Sequence, residues 1–131
     1  MVLWNWDKRT MIGTEETRLA AEEIFDEMLE AEEKLDYQSF VKRFGKKDID
    51  NFGESRFTKD RCAIRTDLGV YKSREFLGAL NGLVHTDNAS MHPGCIRFVW
   101  RGVFKKNETL IVVGVHKKDE RFYANSFMYH Y

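Results

Sequence analysis

The hydrophobic period of this chain changes from helical to alternating at Gly69, and that switch limits the folds open to it more than any other feature. Before Gly69, apolar residues recur every three or four positions; after it, Ile96, Phe98, Trp100 and Phe104 alternate with Arg97, Val99, Arg101 and Val103. Helices come first and strands last. At 131 residues the chain has the usual size of one domain, and 43% hydrophobic residues are enough for a packed interior, which excludes global disorder. The expected fold is α+β, with N-terminal helices packed on a curved antiparallel sheet of four or more strands.

Residues 14 to 35 read as an amphipathic helix: Ala21, Ile24, Phe25 and Met28 share one face, and Glu22, Glu23, Asp26, Glu27 and Glu30 take the other. Thr14 suits the cap, and residues 1–13 are expected to form an arm ahead of a single domain over 14–131. Asp36 caps a second helix carrying Tyr37, Phe40, Val41 and Phe44, with Gly45 as its stop. A third turn over 46–52 and a helix marked by Phe57, Arg61, Ile64 and Leu68 complete the helical half.

In the second half, Lys106-Asn107 and Lys118-Asp119 are expected at the tips of two hairpins, making residues 95–131 a three-stranded meander. The first tip pairs Trp100 with Val113, Phe98 with Val115 and Gly102 with Ile111. For the second hairpin two registers stand open, one setting Phe122, Ala124 and Ser126 beside Val115, Val113 and Ile111, the other Tyr123, Asn125 and Phe127. Residues 70–83 supply a fourth strand. The stretch 84–94 holds the only proline, Pro93, and reads as the one long loop.

Charge and processing signals exclude more than they identify. The 21 basic residues balance the 21 acidic ones, so no whole-molecule field recruits nucleic acid or an anionic membrane. The ten acids of residues 15–36 read as a solvated helix face, and the bases around Lys42, Arg43, Lys46 and Lys47 lack the interleaved aromatic residues of a single-strand platform. No nucleic-acid or membrane partner is expected. Charges interrupt the N-terminal residues before a signal-peptide core can form, and the longest apolar run, Leu110 to Val115, is far short of a membrane span. Cys62 and Cys95 fit two reduced thiols in a cytoplasm, although a single bridge between them stays open on the sequence.

The helical N-terminal half, the segment Gly69-Val70-Tyr71-Lys72-Ser73-Arg74-Glu75-Phe76 and the closing strand Arg121-Phe122-Tyr123-Ala124-Asn125-Ser126-Phe127-Met128-Tyr129 together resemble the nuclear-transport-factor-2-like, or cystatin-like, superfamily over residues 14–131. The resemblance implies a bent sheet wrapping a long helix into a cone. That superfamily holds isomerases, dehydratases, cyclases, transport adaptors and proteins without known activity, so the fold does not choose among them. Neither the Asp and Tyr set of its isomerases nor the His and Asp set of its dehydratases maps onto motifs in this chain.

If the aromatic side of the sheet faces the first helix, Phe98, Trp100 and Phe104 would line a cavity with Tyr71 and Tyr123 at its mouth, and these five are the candidate ligand-binding residues. Aromatic residues at strand spacing serve as core more often than as pocket wall. His116 could pair with Tyr123 or Arg74 as an acid–base site, but alternation sets it beside Leu110 and Val112, opposite Trp100, where an exposed or interface histidine is expected. His85, Asp87, His92 and Cys95 are competent metal ligands in a spacing that matches no zinc pattern, so neither metal nor cofactor is expected. Leu110 and Val112 would lie in water beside Val99 and Val103, and a contiguous apolar outer face marks an interface, here of a homodimer. The functional expectation is a non-catalytic dimeric binding or regulatory module with a small apolar ligand. The alternative is a small-molecule lyase, isomerase or cyclase using acid–base residues in the same cavity.

Overall fold

The computed structural model describes the backbone of residues 2–81 and 95–131 and the side chains of 15–80 and 95–131. Its order is α1 (Val2–Glu33), α2 (Tyr37–Phe40), α3 (Lys46–Asp50), α4 (Glu54–Leu68), β1 (Tyr71–Asn81), β2 (Ile96–Phe104), β3 (Glu108–Lys118) and β4 (Arg121–His130). The α+β class follows directly: helices, then a four-stranded sheet in the order β1-β2-β3-β4 with every neighbouring pair antiparallel. The expected loop over 84–94, with His85, Asp87 and His92, lies outside the described residues.

Helix α1 starts at Val2 rather than at Thr14, so residues 2–13 continue the helix. No proline interrupts that stretch, and Gly13 costs only about 1 kcal/mol in a helix interior. The helix ends where Leu35 turns left-handed (φ 55°). There the Asp36 N–H donates to the Ala31 carbonyl at 2.8 Å and the Leu35 N–H to the Glu32 carbonyl at 3.1 Å. Asp36 then caps α2, accepting the Ser39 N–H at 3.2 Å and its hydroxyl at 2.6 Å. That helix stops at Phe40, four residues short of the expected Phe44: the bonds beyond it tighten to three-residue spacing, Lys42 N–H to the Ser39 carbonyl at 3.4 Å and Phe44 N–H to the Val41 carbonyl at 2.9 Å, and the Ala124 N–H of β4 takes the Arg43 carbonyl at 2.9 Å. Phe44 thereby forms a parallel bridge to Ala124 and stays buried.

The core is the seam between α1 and one face of the sheet. Ile24, Phe25 and Met28 press on Phe98, Trp100, Ile111, Val113 and Val115, all at most 1% exposed. Phe25 meets Trp100 edge to face at 4.9 Å and 89°. The acidic side of α1 is not merely solvated. Glu22 accepts from the Trp100 indole N–H at 3.2 Å and from Arg74 at 2.9 Å, Asp26 accepts from Arg74 at 2.8 Å, and Glu27 accepts from Arg43 at 2.9 Å. Cations from β1 and from the α2–α3 connection therefore clamp the helix onto the sheet.

The β2–β3 register differs from the expected one by two residues: Trp100 faces Ile111, Phe98 faces Val113 and Gly102 faces Thr109. The two-residue turn is Lys105-Lys106, docked on the end of α4 through Lys105 N–H to the Val70 carbonyl (2.8 Å) and Lys106 N–H to the Leu68 carbonyl (2.9 Å). A slip of two preserves side-chain parity, so the aromatic face still turns inward. The second hairpin turns at Asp119-Glu120, both left-handed (φ 52° and 65°), as a primed turn requires. Near this turn Ala124 pairs with Val115; after a bulge at Asn125, Phe127 pairs with Val113 and Tyr129 with Ile111. The bulge switches parity partway along β4, so one half of the strand follows each of the two expected face assignments. Gly114 makes the bulge feasible, since a Cβ there would lie 2.2 Å from Asn125 Oδ1 and 2.6 Å from Ser126 Oγ. Cys62 and Cys95 are free thiols, the first exposed and the second buried. Among the described residues no helix is long and apolar enough to cross a membrane.

Candidate functional site

Three charged or polar residues stand where their helix or strand patterns call for apolar ones. Glu32 extends the buried stripe of Phe25 and Met28 by one turn, and Arg61 sits between Phe57 and Ile64 on the inward side of α4. Tyr129 belongs to β4 after the bulge, where parity directs it inward. These three meet. The Tyr129 hydroxyl donates to Glu32 Oε1 at 2.5 Å, and Arg61 Nε donates to the Glu32 carbonyl at 3.0 Å.

They form one wall of a cleft of about 770 Å3 between helices α2–α4 and the edge strand β4, a size ordinary for a small-molecule site. Its floor is Phe40, Phe44, Phe52, Phe57 and Phe127. Phe40 lies 4.9 Å from Phe57 and 5.8 Å from Phe127, ring to ring. Ser126 and Met128 line the cleft from one face of β4, and Phe127 and Tyr129 line it from the other, so the space runs along the free side of that strand. Its mouth carries Arg56, Asp60 and Arg97, with Cys95 and Asn125 beside Arg97.

The electrostatics of the wall follow from burial. Glu32 is only 4% exposed, and desolvation raises its carboxyl to a pKa of about 7, even though the Tyr129 hydrogen bond and the Arg61 charge both pull it down. Burial, then the neighbouring Glu32, holds the Tyr129 phenol well above its ordinary range. Near neutral pH the pair combines a carboxyl able to give or take a proton with a phenol that stays protonated. Burial likewise pushes the Cys95 thiol up, which keeps it protonated and poorly nucleophilic.

The five residues expected to bind a ligand stand elsewhere. Phe98 and Trp100 are fully buried and Phe104 is 5% exposed, packed in the core. Tyr71 is half-buried, 5.5 Å from the Phe104 ring, with its hydroxyl 3.4 Å from Arg74. Tyr123 lies on the opposite face, stacked on His116 at 5.6 Å and 18°. None of the five lines the cleft. His116 does occupy the outer face but is buried rather than exposed, its Nδ1 2.9 Å from the Asn125 amide nitrogen, and Arg74 is engaged by Glu22 and Asp26 instead. Among the described residues no group of His, Cys, Asp and Glu is placed to hold a metal ion.

Glu32, Arg61, Tyr129 and Arg97 were not among the sequence-derived candidates. A signal for the first existed: a carboxylate on the apolar stripe of an amphipathic helix must be paired, neutral or functional. No family model, curated protein or solved structure matches this chain.

Proposed function

We propose that the protein is a binding module that holds a small, largely apolar ligand in the cleft beside β4, and that it works as a homodimer joined through the outer face of the sheet. The observation that carries the ligand reading is the floor of five phenylalanines beneath the buried Glu32–Tyr129 pair, an apolar space with a few convergent polar groups. Pairing supports the dimer: Val99, Val112 and Met128 are ladder partners in a row across the outer face, with Met128 50% and neighbouring Leu110 44% exposed. The element order, together with bulges in β1 and β4 that bend strands, supports a cone of the nuclear-transport-factor-2-like kind.

The neutral dye N-phenyl-1-naphthylamine tests the cleft. Saturable one-to-one fluorescence enhancement is expected, and Ala63→Trp, at an exposed position on the cleft wall, should abolish it. Binding that ignores Ala63→Trp would place the dye elsewhere and remove the reading. For the dimer, sedimentation of the wild type at micromolar concentration should give twice the chain mass, and Val112→Lys with Met128→Lys should give the monomer. A monomeric wild type ends that part.

A second reading, a lyase, isomerase or cyclase, is favoured by one observation, the hydrogen-bonded Glu32–Tyr129 pair on the cleft wall. Once a ligand is in hand, deuterium uptake into it from heavy water should vanish in Glu32→Gln while binding persists. Uptake that survives the substitution would sink the enzymatic role of Glu32.

A further inference from the structure

We propose that the ligand of the cleft is an organic anion, with its apolar body on the phenylalanine floor and its carboxylate-like oxyanion held by Arg97. This deepens the binding reading above and rests on it. The argument starts from the ion pairs. Arg43 and Arg74 are clamped by α1 carboxylates, Arg18 pairs with Glu22, Arg56 with Asp60, and Arg101 with Glu75 and Glu108. Arg61, the other buried cation of the cleft, donates to the Glu32 carbonyl. Arg97 is different. It is half-buried, its Nε is shut off from solvent with no acceptor, as is that of Arg18, and unlike Arg18 it makes among the described residues neither an ion pair nor a hydrogen bond.

A guanidinium that has lost water at one nitrogen and found no partner is costly, so its presence points to a group that completes it. Planar guanidinium matches a planar oxyanion through two parallel N–H bonds. The surroundings agree with that polarity. Ser126 lines the same cleft as Arg97 and can donate to the same oxyanion, whereas the Asn125 amide is already engaged by Cys95 and His116. Carboxylates lining the cleft are Asp60, paired with Arg56; Glu32, which hydrogen-bonds Tyr129; and Asp48. The apolar half comes from the floor, which presents aromatic surface with no polar atoms of its own.

Two dyes with the same apolar body separate this inference from the reading beneath it. 1-Anilinonaphthalene-8-sulfonate carries an oxyanion and N-phenyl-1-naphthylamine does not. The wild type is expected to bind the sulfonate at least about tenfold more tightly, the worth of one charge-assisted contact. Arg97→Gln should erase that preference and leave the neutral dye unchanged, while Arg97→Lys should retain part of it. Unaltered binding of the neutral dye also shows that the Gln variant is folded. If the dyes bind equally to the wild type, or the preference survives Arg97→Gln, the anion inference is overturned and the cleft stands. Failure of both dyes to bind removes the cleft as a ligand site and the inference with it.

Discussion

The seam between α1 and the sheet and the cleft between α2–α4 and β4 are built from the same aromatic material, yet they end in opposite states. In the seam, Phe25, Phe98 and Trp100 are fully buried, and the indole N–H and Arg74 both find Glu22. Among the described residues the exception on that side is Arg18 Nε, buried without a hydrogen-bond partner although its guanidinium pairs with Glu22 and lies over Phe76. In the cleft, Phe52 is only half-buried, a carboxyl is held close to neutrality, and a half-buried arginine lacks a partner among the described residues. Saturation makes structure, and what is left unsaturated is where binding can add something. The physical difference is one of geometry: one long helix lies along a sheet face, whereas three separate helices meeting a strand edge leave a gap that their side chains do not fill.

The largest expected effect tests the saturated side. Trp100→Ala removes a fully buried indole and the Glu22 hydrogen bond, and should cost about 4 kcal/mol in urea unfolding. A loss under about 1 kcal/mol would mean the seam is not the packed core and would erase the contrast.

Next comes the pH response of the unsaturated side. Glu32 has a folded pKa of about 7 against an ordinary 4.5. Below 4.5 both states hold the proton and nothing is lost; from there to 7 the unfolded chain releases it first, so stability falls as pH rises, by about 3 kcal/mol, and levels off above 7. Glu32→Gln should flatten this slope and leave the variant more stable than the wild type at pH 8. Equal slopes in the two proteins would show that Glu32 does not carry the titration.

The strand that borders both regions gives the third test. Gly114→Val drives a side chain into Asn125 and Ser126 at the bulge, and should cost about 2 to 3 kcal/mol while shifting the amide resonances of 124–128. A silent substitution would deny the bulge its role in turning Phe127 and Tyr129 inward. Smallest is Phe52→Ala, at about 1 kcal/mol, because the ring is already partly in water. If it cost as much as Trp100→Ala, the cleft would be core and not a site.

How much of this was readable depends on whether the signal was local. The inward stripe of α1 and the cap at Asp36 were legible because helix contacts repeat within a few residues. The inward aromatic face of β2 and β3 was legible despite the two-residue register error, because an even slip leaves parity alone. The path of the chain after α2 was not, since the segment around Arg43 and Phe44 pairs with Ala124, far away in the chain. Nor was the face of Phe127 and Tyr129, which an extra residue at Asn125 reverses. The cleft was the least readable feature of all: Glu32, Arg61 and Tyr129 come from the first helix, the last helix and the last strand.

By itself, then, the order of residues determined the class of fold, the boundaries of α4 and the strands to within a few positions, and which side of the central strands is buried. Periodicity is a property of neighbours along the chain, and neighbours are what a sequence records. Only the tertiary structure decided which polar groups meet and which stay unpaired. Those outcomes depend on three elements converging at an edge, on a bulge one residue long, and on burial that changes the chemistry of a carboxyl only after the fold has closed around it.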